Sequence, residues 1–342
     1  MSVTDWRVGW IDVAKGIGII LVILGHTFAL SKIFVLYTFH MPLFFLISGL
    51  LAKTRISFYD TILKASKSIL RPWLIFFLIS LCVVCLIPSW RNQLSWDEIM
   101  LDLYTSNTNF IQNSSLWYLV CFFFVLLLFY PLSKCVDRIK TTFVWIPLTI
   151  FFVFLLYNKD IICSLPLPDN RLPFKIDSAV IALSFFYLGF YFREKIFELI
   201  KKIKGYFFFV FFVVWLFFAK KNGWTNLNSF DFGAYPILFY PTAFCGIMAV
   251  CIASFKIASF EKCHVKSVLS FYGRNSLLIF GLQSLFIRLY ILIFNEYFGE
   301  SMQLYGDNPM IHQLSSFLIV TFVISPLFVL SFRKIKSLWL NK

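Results

Sequence analysis

Charge is scarce in this sequence, and negative charge scarcest of all. Asp and Glu together number 17 among 342 residues, charged residues of both signs make up 14%, and there are four histidines. A soluble chain of this length would hold about two or three domains and carry roughly a quarter charged residues, so that class is excluded. Cysteine is thin as well. Of the eight, only Cys82 and Cys85 are spaced like a metal-binding pair, and they stand alone in a run of Leu, Val and Ile. Neither a disulfide framework nor a metal site is expected from them. Internal repeats, low-complexity tails and long polar stretches are missing, which leaves one domain spanning residues 1–342. The net charge of +14 does not imply nucleic acid, because the basic residues fall in short clusters between apolar runs.

Hydrophobic length is what the sequence has in quantity. Apolar residues reach 60% and the mean hydropathy is +0.81. Ten apolar runs approach spanning length, near residues 10–30, 36–52, 71–88, 115–133, 142–158, 176–192, 206–220, 235–254, 273–294 and 311–332. The expected fold class is all-α: a polytopic membrane bundle of about ten transmembrane helices. The first run lacks a small-residue cleavage site after it and reads as a retained helix rather than a signal peptide. Counting Lys and Arg in alternate connections gives 22 on one side and seven on the other, with Lys15 and Arg288 inside spans. That asymmetry predicts cytoplasmic termini. Two outer connections are long, Ser89 to Ser114 and Phe294 to Met310. Their acids (Asp97, Glu98, Asp102, Glu296, Glu300, Asp307) and their amide and aromatic residues suit contacts to sugars, and equally suit an ordinary solvated loop.

Ionisable residues at membrane depth cost roughly 2.5–3.5 kcal/mol each on insertion scales and are functional candidates by default. The stretch 10–51 carries four: Asp12, Lys15, His26 and His40. Lys15 and His26 are eleven residues apart, about three helical turns and about 16 Å of rise, so they share one helix face, with Asp12 one turn below Lys15 on the same side. Gly16, Gly18 and Gly25 leave room for a neighbouring helix or a ligand. His26 and His40 flank a connection at Ser31 to Leu36 almost symmetrically, which predicts equal depth, with Phe39, Phe44 and Phe45 as an aromatic wall. Two imidazoles meeting in a dry pocket suit general base chemistry on a hydroxyl. A structural hydrogen bond to backbone, or a proton relay in a transporter, would use the same residues.

WIDVAKGIGIILVILGH, with Lys15 and His26, and FHMPLFFLISG resemble integral-membrane acyltransferase family 3, most closely its sugar O-acetylase branch typified by fucose 4-O-acetylase. LRPW at Leu70 to Trp73, SLWYL at Ser115 to Leu119, KIDSAVIALSFFYLG and FYGRNSLLIF extend the resemblance along most of the chain. Where many relatives carry a histidine after the last segment, this chain reads IFGLQSLF, with Gln283. The resemblance implies an O-acetyltransferase of the bacterial cell inner membrane, moving acetyl from acetyl-CoA, as co-substrate and without a metal, to a sugar hydroxyl. The acceptor would be a surface polysaccharide or its lipid-linked precursor. His26 is then the catalytic base, with His40 orienting the acceptor or stabilising an oxyanion. Lys15 and Arg71 would contact the donor's phosphates, with Asp12 beside them. Trp117, Asp177 and Asn275 are candidate acceptor contacts. The rival reading is a transporter or flippase of lipid-linked sugar that uses Asp12, His26 and His40, against which stands the lack of an internal repeat.

Overall fold

Backbone inside a bilayer has to satisfy its own hydrogen bonds, and this chain does so with helices. The computed structural model describes residues 3–28, 33–53, 57–138, 151–260, 264–298 and 309–340. The helices are α1 (Val3–Thr27), α2 (His40–Leu51), α3 (Phe58–Leu86, with a π turn at Ser66–Leu70) and α4 (Trp96–Thr105). They continue as α5 (Trp117–Arg138), α6 (Ile176–Tyr191), α7 (Arg193–Lys202), α8 (Phe207–Asn222) and α9 (Phe239–Ser259). The last are α10 (His264–Arg274), α11 (Ser276–Phe298), α12 (Pro309–Ile319) and, after a π turn at Val320–Ile324, α13 (Ser325–Leu340). Among the described residues there is no β-strand, only one isolated bridge between Asn226 and Asp231.

Eight helices among the described residues are long and apolar enough to cross a membrane, and nine if α7 and α8, bent by 117° at their junction, form one span. Of the ten expected runs, most of 142–158 lies outside the described residues. The third span starts at Phe58 rather than at 71. Its added turns are amphipathic: Thr61, Ala65 and Ile69 recur every four residues and are buried, while Lys64 and Lys67 are exposed.

Helix α1 is the hub. Trp10, Ile11, Val13, Ala14, Ile19, Val22 and Ile23 are all buried, a helix apolar nearly all round with neighbours on every side. Two crossings are closer than side chains permit. Gly16 of α1 lies against the Leu269 carbonyl of α10, and Gly273 of α10 against the Asp12 carbonyl of α1. The second crossing repeats the device, with Gly49 of α2 on the Phe186 carbonyl of α6 and Gly189 of α6 on the Leu46 carbonyl of α2. A Cβ at any of the four would collide with backbone, which cannot swing aside. Arg193 closes the second crossing by donating to the Gly49 and Ala52 carbonyls at the end of α2.

The connection between α3 and α5 is tied to itself. Ser95 and Glu98 form a capping box at the start of α4. Asp102 is buried and accepts from the backbone N–H groups of Asn109 (2.9 Å) and Ile111 (3.1 Å), and its burial pushes the carboxyl up to about 6. Glu98 and Asp102 are therefore structural, while Glu300 and Asp307 lie outside the described residues.

Replacing Gly189 or Gly49 with Leu should be far costlier than the same change at Gly9, around which nothing would meet a Cβ. Overpacking typically costs about 1–3 kcal/mol, so the buried variants should lose several degrees of melting temperature in detergent or fail to accumulate. Equal melting of the Gly9→Leu and Gly189→Leu proteins would refute the close crossing.

Candidate active site

His40 is the first residue of α2, and its ring Nδ1 lies 2.6 Å from the Leu36 carbonyl one turn earlier. A carbonyl only accepts, so Nδ1 carries the hydrogen and Nε2 presents a lone pair. The turn before it is held firmly. Trp215 Nε1 donates to Thr38 Oγ1 at 2.9 Å, and the Phe39 ring, 5.0 Å from that of Trp215, fills the space over Gly246 of α9. Tyr37 donates from its hydroxyl to the Gly25 carbonyl at 2.9 Å, and its ring meets both imidazoles edge-on, His40 at 4.9 Å and His26 at 6.4 Å. His26 is half-buried and makes no hydrogen bond with any described residue, so both of its nitrogens remain available to a ligand.

The two histidines line one cavity of about 260 Å³, together with Tyr37, Trp117, Trp224, Asn226, Asn228, Ser114, Phe280 and Arg288. A second cavity of about 390 Å³ reaches the other end of the bundle at Lys53, with Ser48, Thr61, Ser68 and Ser133 among aromatic walls of Tyr118, Phe122, Phe129 and Phe186. Phe280 borders both cavities. Its ring packs 5.1 Å from that of Tyr118, which in turn touches Phe45 at 4.9 Å and Phe44 at 6.2 Å, making an aromatic septum. The backbone under the septum is pinned. Asn113 Nδ2 donates to Ser80 Oγ (2.9 Å) and to the Gly281 carbonyl (2.8 Å), and Ser115 Oγ lies 3.1 Å from the Phe280 carbonyl.

The sequence-derived candidates divide. His26, His40 and Trp117 come together on the first cavity. Lys15 and Asp12 are half-buried on α1, where they act on one another electrostatically and Arg274 acts on Asp12, and they line neither cavity. Arg71 is exposed and also lines neither. Of the glycines that left room for a helix or a ligand, Gly16 is occupied by α10 and Gly18 by Leu43 and Phe44, whereas Gly25, beside Tyr37, lines the histidine cavity. Phe39, Phe44 and Phe45 do not wall the histidine cavity; Phe44 faces the other one.

Asp177 is not at the cavity. It is buried in an ion pair with Arg171, which donates from Nη2 to Oδ1 at 2.8 Å and from Nε to Oδ2. Arg171 Nη1 also donates to the Asn228 carbonyl at 3.0 Å, and Ser178 Oγ donates to the Leu227 carbonyl at 2.8 Å. The pair therefore fixes the loop that brings Trp224, Asn226 and Asn228 to the histidines. Asn275 is likewise elsewhere, accepting from Arg333 Nη2 at 2.9 Å and donating to the Phe271 carbonyl. Gln283 is fully buried and donates to Ser284 Oγ at 3.2 Å. Sequence reasoning missed Tyr37, Trp224, Asn226, Asn228, Phe280 and Lys53. Arg288 had a signal, a charge within a span.

Residues 8–330 match the model of acyltransferase family 3, described as an acyltransferase domain. No curated protein and no solved structure matches the chain.

Asp177→Ala should strand a buried guanidinium, a change that costs roughly 3–5 kcal/mol. The double variant Arg171→Met, Asp177→Ala should recover part of the lost melting temperature. Equal losses in the single and double variants would show that the pair does not hold the loop.

Proposed function

The chain belongs to acyltransferase family 3 and is a membrane acyltransferase, and we propose that it moves an acetyl group from acetyl-CoA to a sugar hydroxyl. The acceptor in this reading is a surface polysaccharide or its lipid-linked precursor, and the setting is a bacterial inner membrane with both termini cytoplasmic. Its motifs most resemble the sugar O-acetylase branch. The observation that carries the reading is the pairing of His26 and His40 on one small cavity, backed across the Phe280 septum by a second cavity that opens at Lys53.

The donor enters from the Lys53 end. Lys53 lines that cavity and is exposed, and in this reading it takes the phosphates of acetyl-CoA together with Lys15 and Arg71. Asp12 balances Lys15 and Arg274 instead of facing a phosphate. The pantetheine arm lies along the aromatic walls, and the thioester reaches the septum. On the other side, Trp117 and Trp224 stack on a pyranose face while Asn226 and Asn228 meet its hydroxyls.

His26 takes the hydroxyl proton, and the oxygen attacks the thioester carbonyl carbon. The C–S bond breaks, and the departing thiolate takes the proton from His26, leaving the sugar ester and free CoA. His40, with its hydrogen committed to Leu36, has only a lone pair to offer at Nε2. It therefore orients the acceptor by accepting from a neighbouring hydroxyl. As a neutral ring it is unsuited to donate to an oxyanion.

Two experiments test this. Membranes carrying His26→Ala, given radiolabelled acetyl-CoA and glycan from the host cell, should transfer about 10²–10⁴-fold less label than wild type, the range of a lost general base. Equal transfer would remove His26 from the chemistry. Phe280→Ala should open the septum and raise the use of butyryl-CoA relative to acetyl-CoA by about tenfold, the scale at which a pocket discriminates a methylene or two. An unchanged ratio would take Phe280 off the acyl path.

A further inference from the structure

We propose that Arg288 reads a negative charge on the acceptor, so that the molecule bound beside His26 carries a carboxylate or a phosphate. The inference rests on the acceptor being the occupant of the histidine cavity.

Arg288 lies within the span Ser276–Glu296, twelve residues and about 18 Å along α11 from its start. A guanidinium at that depth normally has a partner. Arg288 is exposed in this structure and has no hydrogen bond or ion pair with any described residue. Of the described carboxylates near this end of the bundle, Asp177 pairs with Arg171, Asp231 with Lys159 at 3.5 Å and Asp102 with backbone N–H groups, while Glu296, eight residues further along α11, is exposed and forms no ion pair with Arg288. Nor does Arg288 point away from the chemistry, since it forms part of the cavity wall and is close enough to His26 to act on it electrostatically.

Two further observations favour an anionic ligand over a vacant charge. When His26 holds the acceptor's proton, it and Arg288 place two positive charges in one cavity of about 260 Å³, an arrangement an anion between them relieves. Asn228, on the same wall, has a buried Oδ1 with no hydrogen-bond partner, a group whose acceptor capacity is unspent. A guanidinium fork, an amide oxygen and two indoles form a constellation for an acidic sugar or a sugar phosphate. The carboxylate of a hexuronic acid and the phosphate of a lipid-linked sugar share that chemistry.

The test needs no knowledge of the natural acceptor. Diethyl pyrocarbonate modifies accessible imidazoles, and the rate at the His26 peptide is followed by mass spectrometry on the full-length protein in nanodiscs. D-glucuronate, methyl phosphate and D-glucose are compared as protectants. At least one of the two anions should slow His26 modification threefold or more at a concentration where glucose does not. Protection by glucuronate alone assigns a carboxylate, and protection by methyl phosphate alone assigns a phosphate. Arg288→Gln should abolish the protection and Arg288→Lys should keep part of it, with the unprotected His26 rate serving as the check on folding. Protection by neither anion, equal protection by glucose, or protection that survives in Arg288→Gln would overturn the proposal. None of these readouts involves acetyl transfer, so failure of the proposed reaction and failure of anion reading are separable.

Discussion

Inside a bilayer an unpaired polar group has no water to turn to, and that constraint governs the whole molecule. Most buried polar side chains are consumed by backbone: Ser80 donates to Phe76, Thr242 to Leu238 and Ser254 to Val250, each one turn back along its own helix. Others form closed sets, such as Arg171 with Asp177, Ser178 and the Asn228 carbonyl. Some buried polar atoms keep no partner, among them Asn228 Oδ1 and both ring nitrogens of His312. What sets one cavity apart is that His26, His40 and Asn228 line it together.

The hairpin of α1 and α2 was legible in the sequence because its signals are periodic and local. The step of eleven residues from Lys15 to His26 predicts a shared face, yet Lys15 lines neither cavity. The near-symmetric distances from the connection predict one level for the histidines, and both line one cavity. The all-α class and most of the spans were legible for the same reason, and the third span's start was missed because amphipathic turns precede its apolar run at Phe58. What the sequence withheld were the partners. Asp177 could have met a sugar as well as an arginine, and only the fold brings Arg171 to it. The glycines of α1 offered space without saying whether a ligand or a helix would fill it, and α10, Leu43 and Phe44 fill it at Gly16 and Gly18. The wall contributed by Trp224, Asn226 and Asn228 comes from the connection between α8 and α9, which has no periodicity to betray it.

The two cavities differ in composition. Aromatic walls with a few hydroxyls suit a long, thin, weakly polar arm, whereas indoles, amides and a guanidinium suit a sugar. Phe280 separates them, and its carbonyl and that of Gly281 accept from the Ser115 and Asn113 side chains, respectively two and four residues before Trp117. The partition and the stacking platform are thus fixed to one another by a buried hydrogen-bonded frame.

The glycine crossings bear on how the molecule comes into being. Gly16 meets α10 more than 250 positions later in the chain, and Gly49 meets α6 about 140 positions later. A membrane protein is inserted from its N-terminus onward, so the first hairpin enters the bilayer long before either partner has been made. Its bare backbone grooves stay unfilled during that interval, and contacts so distant along the chain are slow to close. The histidine pocket is therefore a late product of biogenesis, completed only when nearly the whole polypeptide has arrived.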